Sequence, residues 1–312
     1  MDLMTLGQTE IRVPTLGVGC WQWGDTMMWG FGQQYNRVDV EGAFRASVEA
    51  GLTLFDTAEI YGRGTSERIL GELVRQSQAP VVVASKFAPL PWRLSARSLR
   101  RALEASLQRL GLAPIDLYQV HWSFPVIPIE ALMHELANAV ESGQIRAVGV
   151  SNYSATQMRR ACDALAKRGI PLASNQVEYS LLHREPEQNG VLAACRELQV
   201  TLIAYSPLAK GALTGKYQSG TTPPGPRRFS RDFRQQGLVA HEAVINCLRQ
   251  IGQAHGGKTP AQVALRWLIQ QPGVLPIPGA KNARQAADNA GALGWEMTQA
   301  EWEELERLSR NP

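Results

Sequence analysis

The chain has 312 residues, 44% of them hydrophobic and 19% charged, with a formal net charge of +4. This composition excludes a disordered chain, and so small and scattered a positive excess gives no basis for a nucleic acid or an anionic membrane as partner. No run approaches the ~18 apolar residues of a membrane span, and the N-terminus shows no basic stretch leading into an apolar one.

In chain order, residues 4–13 predict a β-hairpin, with Gly7 to Glu10 at the turn. A short apolar run at 16–19 predicts the first strand of a repeat, and a long loop rich in Gly and Trp follows at 23–37. Further runs at 52–56, 81–86, 115–121, 145–151, 172–178, 200–205 and 274–278 are short and apolar on both faces, as strands buried in a parallel sheet are. Amphipathic helical stretches separate them, for example 66–73 and 98–107. A second long loop, 216–234, combines Gly220, Gly225 and three prolines with Lys216, Arg227, Arg228, Arg231 and Arg234. A last helix is predicted over 298–309, with Thr298 as its N-cap and Glu301 three residues on. Eight strands alternating with helices predict a (β/α)₈ barrel, class α/β, forming one domain over 1–312. Cys20, Cys162, Cys195 and Cys247 show neither zinc nor disulfide spacing. Such thiols fit the cytoplasm, and a monomer without a metal is expected.

Active sites of such barrels lie at the C-terminal ends of the strands. There the sequence puts Asp56, Lys86 and His121 at the ends of the second, third and fourth strands, with Tyr61 just after Asp56. Each alone has a plainer role, as helix cap, loop anchor or packed histidine. An ammonium ending an apolar strand is costly without a partner, and the four together can serve the reduction of a carbonyl by a separate hydride donor. Hydride addition leaves negative charge on the carbonyl oxygen, which needs a proton donor and electrostatic support. An ammonium beside a phenol favours the phenolate and lowers the pKa, so Lys86 is expected to tune Tyr61, Asp56 to hold Lys86, and His121 to orient the carbonyl.

The segments 55–62 (FDTAEIYG), 84–87 (ASKF) and 119–122 (QVHW) resemble the signature segments of the aldo-keto reductases, and the likeness covers nearly the whole chain. The stretches 91–94, 225–227 and 291–295 are similar to those of plant plastid and cyanobacterial members, pyridoxal-reductase-like proteins among them. Ser123 departs from the Pro that many members carry after His-Trp. The resemblance implies NADPH bound without a GxGxxG fingerprint, extended across the barrel mouth. It puts Cys20 and Trp21 near the nicotinamide ribose, Ser151, Asn152 and Gln176 on the carboxamide, and Tyr205 against the ring. Ser206, Pro207, Leu208, Ala209, Lys210 and Gly211 would wrap the pyrophosphate, with Lys216 and Arg227 on a loop folding over it. Gly279, Lys281, Arg284, Gln285, Asp288 and Asn289 would take the adenosine end. Lys281 and Arg284 are the cations for a 2′-phosphate there, beside a helix start where an anion is favoured. Trp21, Trp23, Trp29, Trp92 and Trp122 predict an aromatic pocket for a small-molecule carbonyl substrate. The resulting expectation is reduction of aldehydes, and of some ketones, to alcohols. Pyridoxal reduction is an alternative, and a nucleotide-sensing subunit resembling potassium-channel β subunits is a reading of another class.

Overall fold

The structure is a computed structural model that describes residues 2–77, 79–217 and 221–310. Gly220 of the second long loop lies outside them. The hairpin consists of β1 (Leu3–Thr5) and β2 (Arg12–Pro14), antiparallel, with Met4 opposite Val13. Eight parallel strands follow: β3 (Val18–Gly19), β4 (Leu54–Asp56), β5 (Val82–Phe87), β6 (Ile115–Val120), β7 (Ile145–Ser151), β8 (Leu172–Glu178), β9 (Thr201–Tyr205) and β10 (Val274–Pro276). They pair in sequence order. The sheet closes on itself because Gly17 N–H donates to Pro276 O and Gly19 N–H to Pro278 O, both at 3.0 Å. The (β/α)₈ expectation holds: β7 and β8 have the expected bounds, β5 is shifted by one residue, and the other strands are one or two residues shorter than expected.

Closure depends on what fills the middle. Leu54, Ala84, Leu117, Ala147, Ala173, Ile203 and Leu275 point inward from successive strands, large side chains alternating with small ones on several of them. Leu6, Ile11 and Val13 of the hairpin join the same cluster and plug one end of the barrel. Gly7 is tied there by its N–H to Thr201 Oγ1 at 2.8 Å. The functional end is thereby the opposite one, at the strand C-termini.

Helices pack outside by their apolar stripes. In Arg97–Leu110 the buried positions are Leu99, Ala102, Leu103, Ser106 and Leu110, spaced for one helical face. Gly71, in the helix Thr65–Gln76, lets that neighbour approach, since a Cβ there would lie 2.0 Å from Leu110 O. The closing helix Gln299–Ser309 starts with the predicted capping box of Thr298 and Glu301. The described part of the second long loop carries two short 3₁₀ turns, Gly225–Phe229 and Arg231–Phe233. Among the described residues no helix is long and apolar enough to cross a membrane.

Candidate active site

Asp56 ends β4, Lys86 is next to last in β5, and His121 directly follows β6. Tyr61 begins the 3₁₀ turn Tyr61–Gly64. That turn is set by its glycines: Gly62 has φ +54°, and a Cβ on it would lie 2.5 Å from Gly24 O. The four residues converge. Lys86 is fully buried, and its ammonium is hydrogen-bonded to Asp56 Oδ1 and, at 2.9 Å, to Thr57 O. Lys86 Nζ lies 5.2 Å from the centre of the Tyr61 ring, and the His121 ring meets that ring edge-on at 5.7 Å. Trp21 stacks on Tyr61 at 6.1 Å.

The remaining oxygen of Asp56 accepts two amides, Gln119 Nε2 at 3.0 Å and Gln176 Nε2 at 2.9 Å. Four strands, β4, β5, β6 and β8, therefore meet at one carboxylate. Gln119 is a functional candidate that sequence reasoning missed. Its signal was visible, a primary amide between Tyr118 and Val120 in the C-terminal half of β6, fully buried in the fold. A buried amide requires a partner, and Asp56 provides it.

The electrostatics correct one expectation. Lys86 does not bring the phenol of Tyr61 down in the free site. Burial pushes it well above the ordinary tyrosine range, and the Asp56 charge and then Cys20 add to that. Asp56, paired with the ammonium, offsets much of its pull on the phenol, and burial outweighs what is left. The phenol is thereby held protonated, the state a proton donor requires. Burial also lowers the Lys86 ammonium, with Asp56 opposing. His121 is brought down to about 3 by burial, helped by the Lys86 charge, so it is a neutral imidazole.

A cleft of about 640 Å³ runs from this cluster across the strand ends. Along it lie Cys20, Trp21, Ser151, Asn152, Gln176 and Tyr205, then Ser206, Pro207, Leu208, Lys210, Gly211 and Lys216, then Arg227, Gly279, Lys281, Gln285, Asp288 and Asn289. Ser151 Oγ donates to Gln176 O at 2.8 Å, and Tyr205 Oη to Asn152 Oδ1 at 3.1 Å. Asn152, Ser206, Ala209 and Lys210 have positive φ without being glycine, the kind of strain that clusters at ligand clamps. Two sequence-predicted contacts fall outside the cleft. Ala209 is fully buried on the inner side of its turn, and Arg284 is exposed on the helix Ala283–Ala290.

The cleft fits a phosphorylated dinucleotide on physical grounds. Arg227 Nε is buried with no hydrogen-bond partner. Burial lowers Lys281 to about 8, and the charge of Arg227 pushes it the same way. Cations sunk into a cleft without a paired carboxylate call for an anion. Bound NADPH would lie with its phosphates among Lys281, Arg227 and the turn after β9.

The five tryptophans separate. Trp21, Trp29 and Trp122 line the cleft, with Trp122 against His121 at 4.8 Å. Trp23 does not: it is fully buried, and its indole N–H donates to Ala280 O at 2.9 Å, which makes it a packing anchor. Trp92 is 73% exposed and outside the cleft. Its neighbour Arg93 does the holding, paired with Glu59 and donating to Ala88 O at 2.7 Å.

Comparison with known proteins agrees with this geometry. The profile of the Aldo/keto reductase family matches residues 15–310. The chain is 42% identical to the chloroplastic pyridoxal reductase of Arabidopsis thaliana, over 96% of this chain and 84% of that one. It is 33% identical to an NADP(+) aldo-keto reductase of Schizosaccharomyces pombe, over 96% and 89%. Among solved structures, the glycerol dehydrogenase of Gluconobacter oxydans superposes with a TM-score of 0.87 at 27% identity, over 99% and 96% of the two chains. An aldo/keto reductase of Klebsiella pneumoniae, solved with NADP and acetate, has a TM-score of 0.79 at 31% identity, over 100% and 97%. The chain is an NADP-dependent oxidoreductase and belongs to the aldo/keto reductase family.

Proposed function

We propose that the protein reduces aldehydes, and some ketones, to alcohols, with Tyr61 giving the proton to the carbonyl oxygen. NADPH, when bound, supplies the hydride. One observation carries the reading: the protonated phenol of Tyr61, the neutral His121 and Asp56 border one cleft, with Lys86 buried behind them and paired to Asp56. His121 as a neutral ring keeps one N–H to donate to the carbonyl oxygen and orient it. Tyr61 then protonates that oxygen as charge develops on it. The Lys86 ammonium, 5.2 Å from the ring centre, supports the phenolate left behind. Asp56 keeps Lys86 charged despite its burial, and Gln119 keeps Asp56 in place. Trp21 and Trp122 shield the reacting centre from water. The tetrad and the trough come from a single chain, which supports a monomer, and the four free cysteines support the cytoplasm.

The aromatic walls suit a planar aromatic aldehyde, and the relative named pyridoxal reductase favours pyridoxal as a member of the panel. The test is NADPH consumption over a set of aldehydes with pyridoxal included, for the native protein and Tyr61→Phe. General acid catalysis contributes ~10²–10⁴-fold, so Tyr61→Phe should lose activity in that range while its affinity for NADPH holds. Activity within about twofold of the native rate removes Tyr61 from the role. Tight NADPH binding with no turnover of any carbonyl turns the assignment towards a nucleotide-sensing subunit.

A further inference from the structure

A second cavity, of about 560 Å³, shares no lining residue with the cofactor cleft. Its volume is of the size that holds a small molecule. Three parts of the chain wall it: the stretch 182–188 after β8, the stretch 231–241 that leaves the second long loop, and Ser309 with Arg310 at the close of the last helix. The reduction chemistry uses none of these residues. Arg184, on one wall, is 7% exposed and already satisfied, donating to Glu187 Oε2, Glu306 Oε2 and Ser309 Oγ, each at 2.7 Å. Arg310 shares Glu306, at 3.1 Å. Asp232 is nearly fully buried, and its Oδ1 lies 3.2 Å from His183 Nε2. Arg231 and Arg234 are exposed at the cavity, and among the described residues neither has a carboxylate within ion-pair distance. Glu185, the other acid of the lining, is exposed as well.

His241 is the fixed point of this wall. It stands between the helices Gln235–Ala240 and Glu242–Ala254, and its Nδ1 is buried with no hydrogen-bond partner. A buried polar atom in that state is uncommon and marks a missing partner. Burial lowers the His241 imidazolium; Asp232 opposes this, and the charges of His183 and Arg231 add to it. His183 is pushed the other way by its pairing with Asp232, against burial. The one buried carboxylate is thus taken by His183. What remains at the cavity is a pair of guanidinium groups without acids and an imidazole nitrogen without a partner.

We propose that this cavity is a second ligand site, outside the cofactor cleft, for a small organic phosphate held by Arg231, Arg234 and His241. Cations gathered at one place without acids are unfavourable by themselves, and an anion relieves them. A phosphate monoester carries nearly two negative charges and offers oxygens to several donors at once. Each guanidinium matches a pair of those oxygens, and His241 Nδ1 donates to another when it carries the proton. A carboxylate has two oxygens and leaves one of the three residues unsatisfied. Leu182, Gly237 and Ala240 add apolar surface to the lining, which suits a short carbon skeleton rather than a bare ion. The site depends neither on the carbonyl that is reduced nor on the group that donates the proton.

The test is calorimetric titration of glycerol 3-phosphate into protein saturated with NADP⁺, so that the cofactor cleft is already filled. Binding should saturate, and inorganic phosphate should bind more weakly than the ester. Charge-assisted hydrogen bonds are strong enough that Arg231→Gln/Arg234→Gln should weaken the ester by at least about tenfold, and His241→Leu by about threefold or more. Both arginines are exposed, so the double variant should fold, which circular dichroism checks. Arg100→Gln removes an exposed cation elsewhere, on the helix Arg97–Leu110, and should change the affinity by no more than about twofold. No saturable binding to the NADP-filled protein overturns the site. An affinity that survives the double variant or His241→Leu overturns it too, because the ester then lies elsewhere. Equal losses in Arg100→Gln and the double variant would show attraction by overall charge and refute the cavity as the place. Inorganic phosphate binding as tightly as the ester refutes the organic ligand.

Discussion

Lys86→Met puts the buried pair at the centre of the site to the test. Lys86 is fully buried and Asp56 nearly so, and the ammonium is bonded to both Asp56 and Thr57 O. Removing it leaves the carboxylate with two amide donors, Gln119 at 3.0 Å and Gln176 at 2.9 Å, and no countercharge. Breaking one side of a buried ion pair costs about 3–5 kcal/mol. The two surviving bonds to a charged acceptor keep the carboxylate partly satisfied, so the expected loss is at the lower end, about 3 kcal/mol. Replacing both charges at once, in Asp56→Asn/Lys86→Met, removes the stranded charge and should cost clearly less than Lys86→Met alone. Urea unfolding followed by circular dichroism gives the midpoint and slope for each variant. A loss below about 0.5 kcal/mol for Lys86→Met, the size of an ordinary surface substitution, refutes the reasoning. So does a double variant whose loss equals the two single losses added, because coupled neighbours should not be additive. Both variants should be inactive, which separates the stability of the pair from its chemistry.

Affinity for NADPH should fall as pH rises through about 8, the value to which burial and Arg227 bring Lys281. Binding an anion favours the ammonium, so above that value a proton must be taken up with the ligand, at up to about tenfold per pH unit. Burial pushes the phenol of Tyr35, which faces Lys281, up and away from this window. NADH should show no such slope, and parallel curves for the two cofactors between pH 7 and 9.5 would remove Lys281 from phosphate binding. Gly62→Ala places a Cβ 2.5 Å from Gly24 O at a φ of +54°, so the turn must shift. The expected cost is about 1–2 kcal/mol, with a fall in kcat larger than the fall in thermal stability explains. An unchanged kcat shows that Tyr61 is not placed by that turn.

The barrel was legible because its signals are local. Each strand is a short apolar run, each helix an apolar stripe, and the capping box of Thr298 and Glu301 sits within four residues. Asp56, Lys86 and His121 were readable for a similar reason, since strand ends are recognisable and the barrel rule places them on one rim. The polar interior of β6 was the part passed over, although a buried glutamine there had to find a partner.

What the sequence determined by itself is the order of elements and which polar side chains stand at the strand ends. What only the tertiary structure decided is the use of residues that look alike in the chain. Trp23 and Trp29 are six positions apart in the same loop, yet one is sealed against Ala280 and the other holds two cations at the cleft. Arg227 and Arg284 are both arginines near predicted phosphate segments, and only Arg227 faces the cleft. The sign of the Tyr61 shift likewise came from three-dimensional burial, which outweighed the neighbouring ammonium. Periodicity reports which face of an element is buried. It carries nothing about which distant segment arrives opposite that face, and burial and charge at a site are set by that arrival.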